Sequence, residues 1–250
     1  GFTVEEMEAY YDEYAFADWT HKLSRAPMIK AQHPDYELYR FGIHYDRGVS
    51  CADCHMPYKS EGGVKFTNHH IQSPLNNIEN SCKVCHREET DELIRNVYQR
   101  QDAIYQTRTL LEKALAKAHI EAKFAWDKGA TEKQMAPVLK LIRAAQWRWD
   151  YMAASHGASF HAPVESSRVV SLGLEKAQEA RVEIARILAS LGYTQPVPMP
   201  DISTKAKAQA YIGLDMKELR KKKAGFLEKI VPEWIRIAKE REAQYPINKL

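Results

Sequence analysis

Every cysteine in the chain lies in one of two pentapeptides, Cys51-Ala52-Asp53-Cys54-His55 and Cys82-Lys83-Val84-Cys85-His86. This pattern constrains the fold more than any other feature. Cys-x-x-Cys-His is the attachment signal for c-type haem. Two thiols three positions apart reach the two vinyl groups on one edge of a porphyrin. The next residue then lies beneath the ring, where its imidazole can bind iron. Cys51, Cys54 and His55 would hold one haem, and Cys82, Cys85 and His86 a second. A zinc site built from both Cys-x-x-Cys pairs is an alternative, but the gap between pairs exceeds ribbon spacing and zinc needs no histidine after each pair. A pair of redox dithiols would want a βαβ context that is absent.

Ten histidines are present, and two are used as proximal ligands. A haem that only transfers electrons is usually closed on its other face by a second side chain, commonly His or Met. His21, His33, His44, His69, His70, His119, His156 and His161 are available. His119 and His21 fall in helical patterns and read as structural. His44, His69 and His161 sit in irregular segments or at a helix end, near Gly, Asn or Pro. Spacing cannot separate His69 from His70, or His161 from His156. Tyr45, Phe66, Trp147 and Trp149 could pack on porphyrin faces, although both tryptophans read as ordinary core.

The remaining sequence is mainly helical. Thr3-Val4-Glu5-Glu6 fits a capping box, with a helix expected to about Leu23 and Met7, Tyr10, Tyr11 and Tyr14 on one side. Residues 26–80 are rich in Gly, Pro, Asn, Asp and His and show no sustained period. So long an irregular stretch suggests function, or wrapping around something. From about Thr90 the chain turns helical. Ile94, Val97, Ile104, Leu111 and Ala118 form a seam of coiled-coil type, with Gln101, Arg108 and Leu115 between. Gly129 ends that helix. Further helices are expected over 131–155, with Pro137 kinking the start, and over 165–190. Residues 194–200 read as an extended linker, and one or two shorter helices follow, broken at Pro232. The division expected is residues 1–89 as an irregular haem-binding segment, and 90–250 as an α-helical bundle.

Lys+Arg of 36 against Asp+Glu of 33 leaves a net charge of +3, too small to argue for nucleic acid. The run Arg220-Lys221-Lys222-Lys223 reads as a solvated helix face. No stretch approaches the roughly 20 apolar residues of a membrane span. The chain opens on Gly1-Phe2-Thr3, which reads as the interior of a longer protein, so the missing targeting signal does not fix the compartment.

Phe16-Ala17-Asp18-Trp19-Thr20, Ala26-Pro27-Met28-Ile29-Lys30-Ala31-Gln32-His33-Pro34 and both haem motifs together resemble cytochrome c nitrite reductase, the ammonia-forming enzyme. Ala145-Gln146-Trp147-Arg148-Trp149-Asp150, Ala154-Ser155-His156-Gly157, His161-Ala162-Pro163 and Pro200-Asp201-Ile202-Ser203-Thr204-Lys205 extend the likeness over essentially the whole chain. The resemblance implies a mainly α multihaem cytochrome c: a periplasmic homodimer with five haems per complete protein, two of them attached here. Such an enzyme takes nitrite to ammonium, drawing electrons from a quinol-oxidising cytochrome or membrane partner. It implies that the Lys30 carbonyl and Gln32 side chain bind Ca²⁺ and that His33 faces substrate. It also implies that His44 closes the haem of His86, that His161 closes the haem of His55, and that His69 reaches a haem attached elsewhere.

One departure qualifies it. The family's substrate haem has a motif ending in Lys, and no Cys-x-x-Cys-Lys occurs here. The chain therefore reads as a C-terminal half, expected to be inactive alone. A bis-histidine dihaem electron carrier without catalysis is the rival reading. The segment Lys30–His33 argues against it, since a carrier needs neither a calcium site nor a free histidine.

Overall fold

The computed structural model describes residues 3–245. They fall into two compact units that meet between Val197 and Pro198, inside the proline-rich stretch read as a linker. This compact division differs from the functional division placed at residue 89.

The first unit opens with α1 (Val4–Glu13), started by the expected capping box: the Thr3 hydroxyl accepts from Glu6 N–H at 3.2 Å and the Glu6 carboxylate accepts from Thr3 N–H at 3.0 Å. The helix stops ten residues before the expected end near Leu23. Ala15 takes a left-handed conformation, φ 48°, which a continuing helix excludes. Beyond it Trp19–Thr20 (β1) pairs antiparallel with Pro27–Met28 (β2). Of the expected aromatic side, Met7 and Tyr11 pack on the core, whereas Tyr10 and Tyr14 are exposed.

Short elements follow: α2 (Asp35–Tyr39), α3 (Ile43–Asp46), α4 (Cys51–His55) and an antiparallel hairpin of β3 (Tyr58–Glu61) and β4 (Val64–Thr67). Two 3₁₀ turns, Pro74–Asn77 and Cys82–Val84, complete the region. Three long helices make the frame: α5 (Thr90–Asp127), α6 (Glu132–Ala154) and α8 (Pro163–Ser190), with α7 (Ala158–His161) between the last two. Gly129, φ 92°, ends α5, a conformation that costs glycine little. A second capping box, Thr131 with Gln134, starts α6. Pro163 opens α8, where its missing N–H loses no helical bond. Pro137 lies inside α6, which continues past it.

Val97, Ile104, Leu111, Leu115 and Ala118 of the α5 seam are buried. From Ile104 onward the seam packs within the chain, against α6 and α8, and not at a free face. One core cluster joins Leu111, Ala118, Ile142, Ala177 and Ile184. A second joins Ile104, Trp147, Tyr151 and Val170 to Val4, Ile29, Ala31 and Leu38. This second cluster fixes the irregular N-terminal segment on the helical frame.

The second unit holds α9 (Lys205–Tyr211) and α10 (Met216–Gln244), capped by the side chains of Thr204 and Asp215. The expected break at Pro232 is absent, and α10 runs through it. Proline removes one N–H from the ladder. The Glu228 carbonyl so freed belongs to an exposed residue that water can reach.

Candidate functional site

The segment Lys30–His33 rests on two carboxylates. Ile29 and Ala31 point into the core, while Lys30, Gln32 and His33 are exposed. Lys30 N–H donates to Asp18 Oδ2 at 2.7 Å, and Ala31 N–H to Asp150 Oδ2 at 2.5 Å. Burial, foremost, raises the Asp150 carboxyl above its ordinary range. Arg143, buried on α6, donates to Asp12 Oδ1 and to the carbonyls of Phe16 and Pro27 at 2.8–3.0 Å. It thereby pins the hairpin that leads into this segment. The next bend is taken by His33 in the left-handed region, φ 50°, and its ring centre lies 6.5 Å from that of His156.

Both cysteine motifs are helical turns. Ser50 caps α4 in a capping box with Asp53, and His86 N–H donates to Cys82 O at 2.9 Å across the second motif. No disulfide joins any of the four cysteines. Burial, then the neighbouring cysteines and Asp53, pushes the Cys54 thiol up to about 11.

Two histidine pairs form around these motifs. The ring centres of His44 (α3) and His86 are 6.2 Å apart, and those of His161 (α7) and His55 (α4) are 6.3 Å apart. A metal held between two imidazoles needs about 2 Å for each metal–nitrogen bond and about 1.1 Å from each nitrogen to its ring centre, hence about 6.2 Å in all. Both separations fit an iron bound on both faces. The second shell fits as well. His55 Nδ1 faces the Gln72 carbonyl at 2.9 Å, and His86 Nδ1 faces Glu88 Oε2 at 3.4 Å. Such partners orient an imidazole and leave Nε2 for metal. Burial, foremost, lowers both His44 and His161 below the ordinary imidazole range, and the neutral ring is the ligating form.

Space for the His161 ring comes from glycine. A Cβ on Gly157 would lie 2.3 Å from His161 Cε1, and one on Gly42 would lie 1.8 Å from the His161 carbonyl oxygen. Neither glycine, nor Gln72, nor Asp35 was singled out from sequence. Only their nearness to a histidine or a motif marks them.

His161, not His156, therefore faces a motif histidine, while His156 faces His33. His69 and His70 are exposed, with no aromatic-ring contact among the described residues. The rings of His21 and His119 stack with centres 3.6 Å apart, and His119 Nδ1 bonds Ser24 Oγ at 2.9 Å. Trp147 is core, as read. For calcium, Lys30 and Gln32 supply two of the six to eight oxygens the ion takes. Among the described residues no group of three or more His, Cys, Asp or Glu could hold a metal, so these residues alone do not make a calcium site.

The cytochrome c552 family model matches residues 1–244. The chain belongs to the cytochrome c552 family. Membership implies covalently attached haem c, in accord with the two motifs. Cytochrome c-552 of Parabacteroides distasonis is 65% identical over 240 residues, covering 96% of this chain and 49% of that protein. Its namesake from Porphyromonas gingivalis is 62% identical over 239 residues, covering 96% and 48%. The chain thus spans about half the length of these curated relatives. Among solved structures, cytochrome c nitrite reductase from Desulfovibrio desulfuricans, whose catalytic subunit has two calcium sites, superposes with a TM-score of 0.68. It is 29% identical, over 88% of this chain and 46% of that one. Among the described residues no helix is long and apolar enough to cross a membrane.

Proposed function

We propose that the chain is the C-terminal half of a periplasmic multihaem cytochrome c that reduces nitrite to ammonium. The observation that carries the multihaem part of this reading is the pair of imidazole separations, 6.2 and 6.3 Å, each joining a motif histidine to a distant one, and the likeness to cytochrome c nitrite reductase supports nitrite as the substrate. In this reading Cys51, Cys54 and His55, with His161 opposite, hold one haem. Cys82, Cys85 and His86, with His44 opposite, hold the other. Haem, when bound, supplies one-electron redox chemistry, and six electrons are needed for nitrite. Two imidazoles per iron leave no position for substrate, so these residues build a relay. Exposed His69 reaches toward a haem attached outside this chain.

His33 is the residue assigned to substrate. Its exposed imidazole, on a backbone seated by Asp18 and Asp150, can hydrogen-bond nitrite oxygens and pass a proton to them. Lys30 and Gln32 contribute oxygens to a calcium site completed by other residues. Residues 1–89 form the haem, calcium and active-site segment, and 90–250 the helical, dimerising part of a homodimer. The electron donor is a quinol-oxidising cytochrome or membrane partner.

The test is ammonium formation from nitrite by the haem-loaded, full-length protein under a strong reductant. His33→Ala should cut turnover sharply with haem content unchanged. Near-normal turnover in that variant removes the role of His33. If the wild-type protein forms no ammonium, a dihaem electron carrier remains, a reading that the saturated imidazole pairs also favour.

A further inference from the structure

His161 Nδ1 is buried and makes no hydrogen bond. If Nε2 binds a metal, Nδ1 carries the proton, and a buried donor without an acceptor is costly. The carboxylate beside it is that of Asp35, with Oδ1 at 3.8 Å, an ionic contact beyond hydrogen-bond reach. The same oxygen accepts from Ser155 Oγ at 2.9 Å and from Gly157 N–H at 3.1 Å, so it is anchored on two sides. Asp35 opens α2 two residues after His33, and one short stretch of backbone sets both.

We propose that Asp35 is a positioning residue for His161. Its carboxylate orients the imidazole and lowers the reduction potential of the haem that His161 and His55 share. The inference rests on the bis-histidine reading above. The contrast with the other ligands gives it content. His55 Nδ1 faces a neutral carbonyl. Glu88 does face His86, but that pair is 45% and 43% exposed, against 34% and 22% for Asp35 and His161. Water screens the former more strongly. Negative charge beside a ligating imidazole favours the oxidised, more positive iron, and charge and hydrogen bonding are among the levers on haem potential.

The experiment is a spectroelectrochemical titration of the haem-loaded, full-length protein. Asp35→Asn keeps an oxygen for Ser155 and Gly157 but removes the charge. At a fixed potential the reduced-to-oxidised ratio of one haem should rise at least tenfold, about 59 mV for a one-electron couple, with haem content unchanged. Ser155→Ala removes a donor that shares the carboxylate, so the same haem should shift the opposite way. An unchanged ratio in both variants, or shifts of equal sign, overturns the inference. His161→Ala tests the underlying reading separately: loss of one low-spin signal supports it. An intact set of low-spin signals removes the ligand assignment, and the inference with it.

Discussion

Gly157→Ala isolates the space that the site needs. Gly157 has φ −92° and ψ −2°, a conformation alanine adopts, so the backbone adds no strain. The added Cβ would lie 2.3 Å from His161 Cε1, 2.5 Å from Nδ1 and 2.9 Å from Nε2. Carbon atoms pack at about 3.5–4.0 Å, so the ring must retreat by more than about 1 Å. A free imidazole can do this by rotation, at the about 0.5–1.5 kcal/mol of an off-rotamer side chain. An imidazole held to iron by a bond of about 2 Å cannot. The haem-loaded variant should therefore keep its haem content, lose one of its low-spin signals in electron paramagnetic resonance and gain a high-spin one. An unaltered low-spin spectrum with haem attached refutes the argument. Gly42→Ala gives the contrast. Its Cβ would meet the His161 carbonyl oxygen at 1.8 Å, a backbone atom that cannot swing aside. It should also destabilise the fold by about 1–3 kcal/mol or more, the cost of overpacking, read as a lower thermal midpoint.

Three further outcomes are expected. Gly173→Ala sets a helix-propensity gain of about 1 kcal/mol against a Cβ 2.8 Å from Leu111 Cδ2 and 3.1 Å from Arg148 Cβ. Overpacking of about 1–3 kcal/mol should win, and thermal unfolding should occur at lower temperature. Arg143→Met strips the partner from Asp12 and two carbonyls, and should cost at least the about 1.5–3 kcal/mol of one charge-assisted bond. Faster amide exchange over residues 16–28 should report it. His119 is buried neutral and its imidazole is lowered to about 3, chiefly by burial and then by His21. Because the unfolded chain takes up this proton at about 6.5 while the folded chain does not, the contribution is complete above about 6.5. It is lost as pH falls toward 3, by up to about 1.4 kcal/mol per unit. His119→Phe should flatten that limb of the pH–stability curve.

The sequence carried the chemistry further than the geometry. Two pentapeptides name the cofactor because covalent attachment demands a fixed local spacing, which one dimension records. The three long helices were legible for the same reason: Gly129 and the apolar seam are local signals. The end of α1 was not, because Ala15 turns left-handed to meet a hairpin whose pairing is tertiary. Pro232 misled in the opposite sense, since a long exposed helix tolerates one missing N–H. The ring pairs were implied by the family resemblance and not by any local pattern, and the fold brings their ring centres to 6.2 and 6.3 Å. Nothing near His161 says that it faces His55, and periodicity cannot choose it over His156. The choice comes from the turn of α7 and from the missing side chain of Gly157. Asp35 was invisible for a related reason, because its partners Ser155, Gly157 and His161 lie 120 residues or more further along the chain.

Mass spectrometry of the haem-loaded protein after proteolysis tests the central claim most directly. The account predicts one haem on the peptide bearing Cys51 and Cys54 and one on the peptide bearing Cys82 and Cys85. Four free thiols, or a zinc ion shared between the two peptides, would contradict it.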